Sequence, residues 1–166
     1  AATFGFAVWL QPQDHWLSRN GIAHEGEVAS RLGLAGIPVA AETIAIATIV
    51  QLVRDTGCRV HLTRLSSAAG VALAARACEE GLPVTCDIGI HHLLMTDNDI
   101  GFFNPHARFN PPLRSEDRSA ALVRNPLLRS LGRDVRELAL RLPSGGPDTH
   151  HPGAGGHRSV GGDDDG

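Results

Sequence analysis

The chain contains no lysine and no tyrosine, and all 15 of its basic residues are arginine. Without lysine, these 166 residues cannot supply a Schiff-base lysine, a phosphate-binding P-loop or a carbamylated lysine. A net charge of −3 gives no general electrostatic reason to bind nucleic acid or anionic lipid. The arginine bias by itself assigns no function.

Cysteines and long apolar runs are also scarce. The three cysteines, Cys58, Cys78 and Cys86, are an odd number without CxxC spacing, so we expect no disulfide framework and a reducing cytoplasm. The apolar run around residues 44–50 falls well short of the roughly 18–20 residues that a membrane span needs. No basic segment precedes the first apolar stretch, so we expect no secretory signal.

Strand-like and helix-like segments alternate in the first half of the chain. Pro38 and Gly57 bracket one helix, Ser66 or Ser67 can cap the next, and Gly81 ends it. The pattern predicts a buried strand at 4–10, a loop at 11–26, a short helix at 27–32, a helix between Pro38 and Gly57, a strand at 58–65, a helix at 68–80 and a strand at 82–88. The apolar face of the helix between Pro38 and Gly57 is expected to contain Ile44, Ala47, Val50 and Val53. We therefore expect an α/β fold with a parallel sheet, either open or closed into a barrel.

The regular pattern loosens after residue 97. Prolines predict a loop up to about residue 114, and a helix is expected at about 115–131. The last 24 residues contain 8 glycines and 3 prolines with almost nothing large and apolar, so we expect them to be disordered.

Candidate chemistry lies where the predicted strands end, at residues 11–14, 61–66 and 87–92. His61 could ligate a metal, although a lone histidine in an apolar strand is more often a hydrogen-bonded core residue. Asp14 could be a general base or a turn residue that binds the backbone. One of His91 and His92 could face a barrel mouth, but neighbours on an extended segment point opposite ways, which favours a packed or solvated pair. His150–His151 have at best a weak metal-binding composition.

The sequence FNPPLR offers a second kind of site. Its two prolines restrict the directions of Asn110 and Arg114, and an amide together with a guanidinium could bind a carboxylate or a cyclic amide. A rigid turn with a solvated arginine is equally compatible with the pattern.

Four motifs in order carry a family resemblance: QPQD at 11–14, HLTRLS at 61–66, VTCDIGIHHLLMTD at 84–97 and NPPLR at 110–114. Over about residues 3–124 the chain resembles an internal fragment of a dihydroorotase, a member of the cyclic amidohydrolase superfamily, in its bacterial dihydroorotase-like variant. The resemblance implies part of a (β/α)8 barrel that interconverts N-carbamoyl-L-aspartate and L-dihydroorotate in pyrimidine biosynthesis, with zinc as the family's metal.

The resemblance also locates departures from the family pattern. Family enzymes place zinc-ligating histidines where this chain has Gln11 and Arg64, and neither an amide nor a guanidinium is a suitable zinc ligand. Asn110 matches the family's substrate-binding asparagine. His61, His91 and His92 match family positions that are not metal ligands. We therefore expect no catalytic residue and no bound metal in this chain.

Two hypotheses follow from these departures. One is a dihydroorotase lineage, incomplete and inactive alone, whose ligands would be dihydroorotate or carbamoyl-aspartate. The other is a noncatalytic scaffold that assembles with aspartate carbamoyltransferase or with itself.

The resemblance also implies a division of the chain. We expect a partial barrel at 1–124, a divergent helical segment at 125–142 and a disordered tail at 143–166. A reading-frame change after about residue 124 is one hypothesis for the tail, and a native divergent tail is the other.

Overall fold

The computed structural model describes residues 1–116, which belong to the first of two units, Ala1–Arg133. The segments expected at 125–142 and 143–166, and all but the start of the helix expected at 115–131, lie outside the described residues. Those expectations remain predictions. The described elements, in chain order, are β1 (Ala7–Leu10), α1 (His15–Ser18), β2 (Ala23–His24), α2 (Glu27–Leu32), β3 (Gly36–Ile37), α3 (Ala40–Thr56), β4 (Arg59–Leu65), α4 (Ala68–Glu79), β5 (Val84–Ile88) and α5 (Ile90–Leu94).

Three strands form a parallel sheet in the order β1–β4–β5, which confirms the predicted α/β class. Trp9 lies opposite His61, and His61 lies opposite Thr85. Because side chains alternate along a strand, these three residues share one face of the sheet. Val60, Leu62 and Val84 point to the other face, where they pack in a core with residues of α3 and α4.

The first strand is shorter and more exposed than its sequence predicted. A 3-10 turn at Ala2–Phe4 is closed by Gly5, whose φ of 68° lies in the left-handed region that favours glycine. The strand starts only at Ala7, and Trp9 is 70% exposed. The predicted strand is therefore confirmed over Ala7–Leu10 only, and it is not buried: Val8 and Leu10 are half-buried, while Ala7 and Trp9 are exposed on this edge strand of the described sheet.

The two long helices follow the predicted boundaries closely. In α4, the Ser67 hydroxyl accepts a hydrogen bond from the Gly70 backbone N–H at 3.0 Å and caps the helix. Gly57 closes α3 in the left-handed conformation. The apolar face predicted for α3 is confirmed in part: Val50 and Val53 are buried, but Ala47 and Ile44 are exposed, Ile44 by 48%, and Ile46 is buried instead.

A second, smaller sheet joins β2 and β3 in parallel. The sequence predicted only a loop over residues 11–26, which in fact includes α1 and β2. Two-residue strands are too short to show a period, so they leave no pattern in the sequence. A second apolar cluster surrounds this region and contains Ala23, Val28, Ala29, Ile100, Ala107 and Leu113. Among the helices that the structure describes, none is long and apolar enough to cross a lipid bilayer.

A buried polar network lies between the two sheets; we call Glu42, Ser66, Ser67, Arg114 and His24 the arginine network. The Glu42 carboxylate accepts hydrogen bonds from the backbone N–H and the hydroxyl of both serines, at 2.5–3.1 Å. The Arg114 guanidinium donates to Ser66 Oγ at 3.0 Å, and to His24 Nδ1 and the Ile37 carbonyl at 3.2 Å each. Arg114 Nη2 lies 4.0 Å from Glu42 Oε2, so the two buried charges compensate each other.

Replacement of Gly70 tests how firmly this network is held. A Cβ at residue 70 would collide with Glu42 Oε1, which accepts hydrogen bonds from the backbone N–H and the hydroxyl of Ser67. Helix propensity alone predicts that Gly70→Ala stabilises α4 by about 1 kcal/mol. We expect instead a loss of about 1–3 kcal/mol, because the carboxylate cannot move without breaking its hydrogen bonds. The measurement is the urea midpoint.

Ala69→Gly is the matched control, because Ala69 is exposed on the same turn. Its loss of about 1 kcal/mol reports propensity alone. A stabilised Gly70→Ala variant would show that the network yields to a methyl group.

Candidate functional site

The carboxyl ends of β1, β4 and β5 lie side by side because the strands are parallel. Gln11 follows β1, Arg64 lies near the end of β4, and Asp87 lies near the end of β5. Asn110 reaches the same edge from a loop. We call these four residues the strand-end cluster. Ligand sites of parallel α/β folds form at this edge.

Asp87 fixes the end of β4. Its Oδ1 accepts a hydrogen bond from the Arg64 backbone N–H at 2.7 Å, and its Oδ2 lies 2.9 Å from His61 Nε2. Arg64 has a φ of 56°, which is uncommon for a residue other than glycine, and the β4–β5 register shifts between Leu62 and Leu65. The Asp87 carboxylate therefore holds a left-handed residue at the strand end.

His61 is engaged at both ring nitrogens. Nε2 pairs with Asp87, and Nδ1 lies 2.8 Å from the Thr85 hydroxyl. This favours the hydrogen-bonded alternative for His61 over a role as metal ligand. The sequence placed Asp87 only at the start of a candidate segment and gave it no role, because its partners come from a different strand.

A chain of hydrogen bonds joins Arg64, Gln11 and Asn110. Arg64 Nη2 donates to Gln11 Oε1. Gln11 Nε2 donates to Gln13 Oε1 at 3.1 Å and to Asn110 Oδ1 at 3.3 Å. The structure thus brings together the three residues that the sequence singled out at two metal-ligand positions and one substrate-binding position.

These side chains do not fit a zinc ion. The guanidinium has no lone pair to offer, its positive charge would repel a cation, and the Gln11 carbonyl oxygen already accepts from it. Within residues 1–116, no three His, Cys, Asp or Glu side chains come together in a way that could hold a metal ion.

Arg114 cannot bind a ligand together with Asn110. Its side chain is 1% exposed and lies in the arginine network, while Asn110 is exposed at the strand ends. The prediction that these two residues of FNPPLR form one site is therefore wrong. The solvated-arginine alternative is wrong for the same reason. Arg114 instead anchors the loop from beneath. A lone arginine in a proline-rich loop gives no sequence signal for such burial.

His91 and His92 lie on the short helix α5, not on an extended segment, so their rings do not point opposite ways. The ring centroids are 4.2 Å apart, and His91 stacks on Phe109 at 4.3 Å. Burial, followed by the charge of Arg64, lowers the pKa of His91. His92 is fully buried, and its Nε2 donates to the Pro111 carbonyl at 3.1 Å. The packed alternative is therefore the observed one.

Asp14 caps α1. Its Oδ1 accepts hydrogen bonds from the backbone N–H groups of Trp16 and Leu17 at 3.0 and 2.9 Å. This supports the turn alternative over a general base. His150–His151 lie outside the described residues.

His92 makes stability depend on pH. Burial, followed by the neighbouring His91, lowers the pKa of His92 from 6.5 to about 4. Between these two values the unfolded chain binds a proton that the folded chain does not, so stability falls as the pH drops through this window. We expect the contribution of His92 to fall by about 2 kcal/mol between pH 7 and pH 5.

His92→Gln is the control variant, since its amide can donate to the same carbonyl but does not titrate. Urea midpoints at both pH values should show a smaller decrease for the variant. An equal decrease in both proteins would assign the pH dependence to other groups.

Comparison with known proteins identifies related sequences. A family model described as dihydro-orotase-like matches residues 1–69. The chain is 43% identical over 134 residues to a dihydroorotase-like protein of Pseudomonas aeruginosa, a match that covers 79% of this chain and 32% of the relative. It is 37% identical over 127 residues to a dihydroorotase of Carboxydothermus hydrogenoformans, with 76% of this chain and 30% of the relative covered. The chain spans about a third of the length of these curated relatives.

Solved structures share the fold. An L-hydantoinase (dihydropyrimidinase) from Arthrobacter aurescens superposes with a TM-score of 0.61 and 26% identity, over 73% of this chain and 28% of that one. A dihydroorotase from Saccharomyces cerevisiae superposes with a TM-score of 0.53 and 16% identity, over 74% and 32% of the two chains, and supports the fold alone. On its sequence matches and its fold, the chain belongs to the dihydroorotase-like family of cyclic amidohydrolases.

Proposed function

We propose that this chain is a segment of a dihydroorotase-like protein and forms the ligand-binding side of its barrel mouth. The ligands would be the cyclic amide L-dihydroorotate and its opened form, N-carbamoyl-L-aspartate. The observation that carries the proposal is the position of Asn110, which lies at the carboxyl edge of the sheet and is hydrogen-bonded to Gln11.

The hydrogen bonds around Asn110 support a binding role. Its Oδ1 accepts from Gln11 Nε2, which fixes the orientation of the amide. Nδ2 has no acceptor within the described part of the chain, so its two N–H groups can donate to a ligand carbonyl. On the buried side of the loop, His92 donates a hydrogen bond to the Pro111 carbonyl, and Arg114 donates one to Ser66 in the arginine network.

The segment contributes binding and orientation to the proposed function, not hydrolysis. Zinc is the metal that the family implies. At two of the zinc-ligand positions this chain has Gln11 and Arg64, whose side chains are hydrogen-bonded to each other and do not suit a zinc ion. Asp87 is occupied by the Arg64 backbone and by His61, which leaves it poorly placed as a general base. We therefore derive no catalytic step from these residues.

The hydrogen bond between Arg64 and Gln11 favours a second candidate function. A guanidinium paired with an amide in place of metal ligands is compatible with a noncatalytic scaffold that keeps the family fold. Such a scaffold would assemble with aspartate carbamoyltransferase or with itself. Sedimentation of the chain alone, and of the chain mixed with aspartate carbamoyltransferase, distinguishes these two assemblies from an unassociated chain.

Asn110→Ala tests the proposed ligand. We expect the 166-residue chain to bind L-dihydroorotate without turnover, and the variant to lose about tenfold in affinity, because an amide donor to the ring carbonyl contributes about 1–1.5 kcal/mol. Isothermal titration calorimetry measures both proteins. The control Asn98→Ala changes another exposed asparagine, on the turn Asp97–Ile100. Equal affinities in wild type and Asn110→Ala would contradict the role of Asn110.

A second prediction concerns zinc. After dialysis we expect much less than one zinc per chain by metal analysis, because two ligand positions carry Gln11 and Arg64. The double variant Gln11→His/Arg64→His removes the charge and supplies two imidazoles, so it should retain more zinc than the wild type. Tight stoichiometric zinc in the wild type, with hydrolysis of dihydroorotate, would refute the prediction.

A further inference from the structure

The strand-end cluster has its acceptors occupied and its donors exposed. Gln11 Oε1 accepts from Arg64, and Asn110 Oδ1 accepts from Gln11. Both carboxylate oxygens of Asp87 are engaged, by the Arg64 backbone and by His61. What this edge offers a ligand is therefore the guanidinium N–H groups of Arg64 and the amide N–H groups of Asn110. A surface of this kind suits a ligand that brings oxygen acceptors.

Arg64 supplies the positive charge of this edge. A guanidinium is a planar cation with five N–H donors and no acceptor. His91 is the nearby group that could add a second charge, but burial and the charge of Arg64 itself lower the pKa of that imidazole. Within residues 1–116, Arg64 hydrogen-bonds to Gln11 through its side chain and to the engaged Asp87 carboxylate through its backbone N–H.

The backbone of Arg64 has an uncommon conformation that Asp87 stabilises. A non-glycine residue at a φ of 56° costs free energy, and it persists here because Asp87 Oδ1 binds its N–H at 2.7 Å. The side chain is exposed and reaches across to Gln11 after the neighbouring strand, which places it over the sheet edge. Such outliers concentrate at ligand sites.

We propose that Arg64 is the carboxylate receptor of a metal-free ligand site, with Asn110 binding the amide or ureide end of the same molecule. The proposal rests on the proposed function and names its ligand class: small ureides or cyclic amides that carry a carboxylate. The planar guanidinium donates two parallel N–H bonds to a carboxylate, and its charge makes them strong. The Gln11 amide contacts both Arg64 and Asn110, so the two donors lie within reach of one small ligand.

The test compares two rings that differ only in the carboxylate. By calorimetry on the 166-residue chain, we expect L-dihydroorotate to bind more tightly than dihydrouracil, which has the same ring without the carboxylate. Arg64→Gln should weaken the affinity for dihydroorotate about 10- to 100-fold and change the affinity for dihydrouracil less than about twofold, because only the charged contact is lost. The affinity of Arg64→Lys for dihydroorotate should lie between those of the wild type and Arg64→Gln, since lysine keeps the charge but not the two parallel N–H donors.

Arg54→Gln is the matched control. Arg54 is an exposed arginine on α3 that pairs with Glu80 at 2.5 Å, away from the strand-end cluster. Arg54→Gln changes the net charge as Arg64→Gln does but removes no contact of the strand-end cluster, so it should leave both affinities unchanged. Equal weakening by the two variants would assign the effect to overall charge and overturn the proposal.

A second measurement needs no variant. Phenylglyoxal modifies arginine side chains, and mass spectrometry of the full chain locates the modified residues. We expect dihydroorotate to protect Arg64 and not Arg54. Equal modification of Arg64 with and without the ligand would overturn the proposal even if a substituted chain failed to fold.

The outcomes separate this inference from the proposed function. Binding of dihydroorotate that depends on Asn110 but not on Arg64 overturns the inference alone. Binding of succinate that depends on Arg64, without binding of either ring, supports the carboxylate receptor and overturns the proposed function. Failure of the wild-type chain to bind any of the three probes overturns both.

Discussion

The fold depends on one buried charge pair. Arg114 and Glu42 lie out of water at 1% and 3% side-chain exposure, which is costly unless each charge is compensated. The compensation comes from segments far apart in the chain, since Arg114 binds His24, Ile37 and Ser66 while Glu42 binds Ser66 and Ser67. Loss of one partner would leave an unpaired buried charge, at a cost of about 3–5 kcal/mol. The network therefore fixes the small sheet, α3, the end of β4 and the loop that carries Asn110 relative to one another.

The strand-end cluster inherits its geometry from this anchor. Arg114 and Leu113 are buried, and His92 holds the Pro111 carbonyl, so Asn110 is the point at which the loop emerges at the sheet edge. Asn110 can then meet Gln11, and Gln11 can meet Arg64. Rigid support beneath exposed donors is what precise recognition of a small ligand requires. The buried arginine thus positions the cluster, while the exposed arginine supplies its charge.

The sequence predicted those parts of the fold that local chemistry determines. The bounds of α2, the serine cap of α4 and the glycine end of α3 follow from residues within one turn of each boundary. The buried face of α3 was predicted only in part, through Val50 and Val53, because the helix is apolar on most sides and the buried Glu42 has its hydrogen-bond partners on another segment. Arg114 was assigned to the wrong environment for the same reason. The resemblance identified Gln11, Arg64 and Asn110 as related positions, but their mutual hydrogen bonds depend on tertiary placement.

Gln11 and Arg64 are physically coupled, because the Arg64 guanidinium donates a hydrogen bond to the side-chain oxygen of Gln11. A histidine at residue 11 has two ring nitrogens and cannot accept from Arg64 while also donating to both Gln13 and Asn110, as the Gln11 amide does. Conversely, a histidine at residue 64 could not carry the permanent charge of a guanidinium. An arginine at 64 without an acceptor at 11 would lose the contact that directs it over the sheet edge. The pair therefore acts as one unit, in which an amide orients a cation at the carboxyl edge of the sheet.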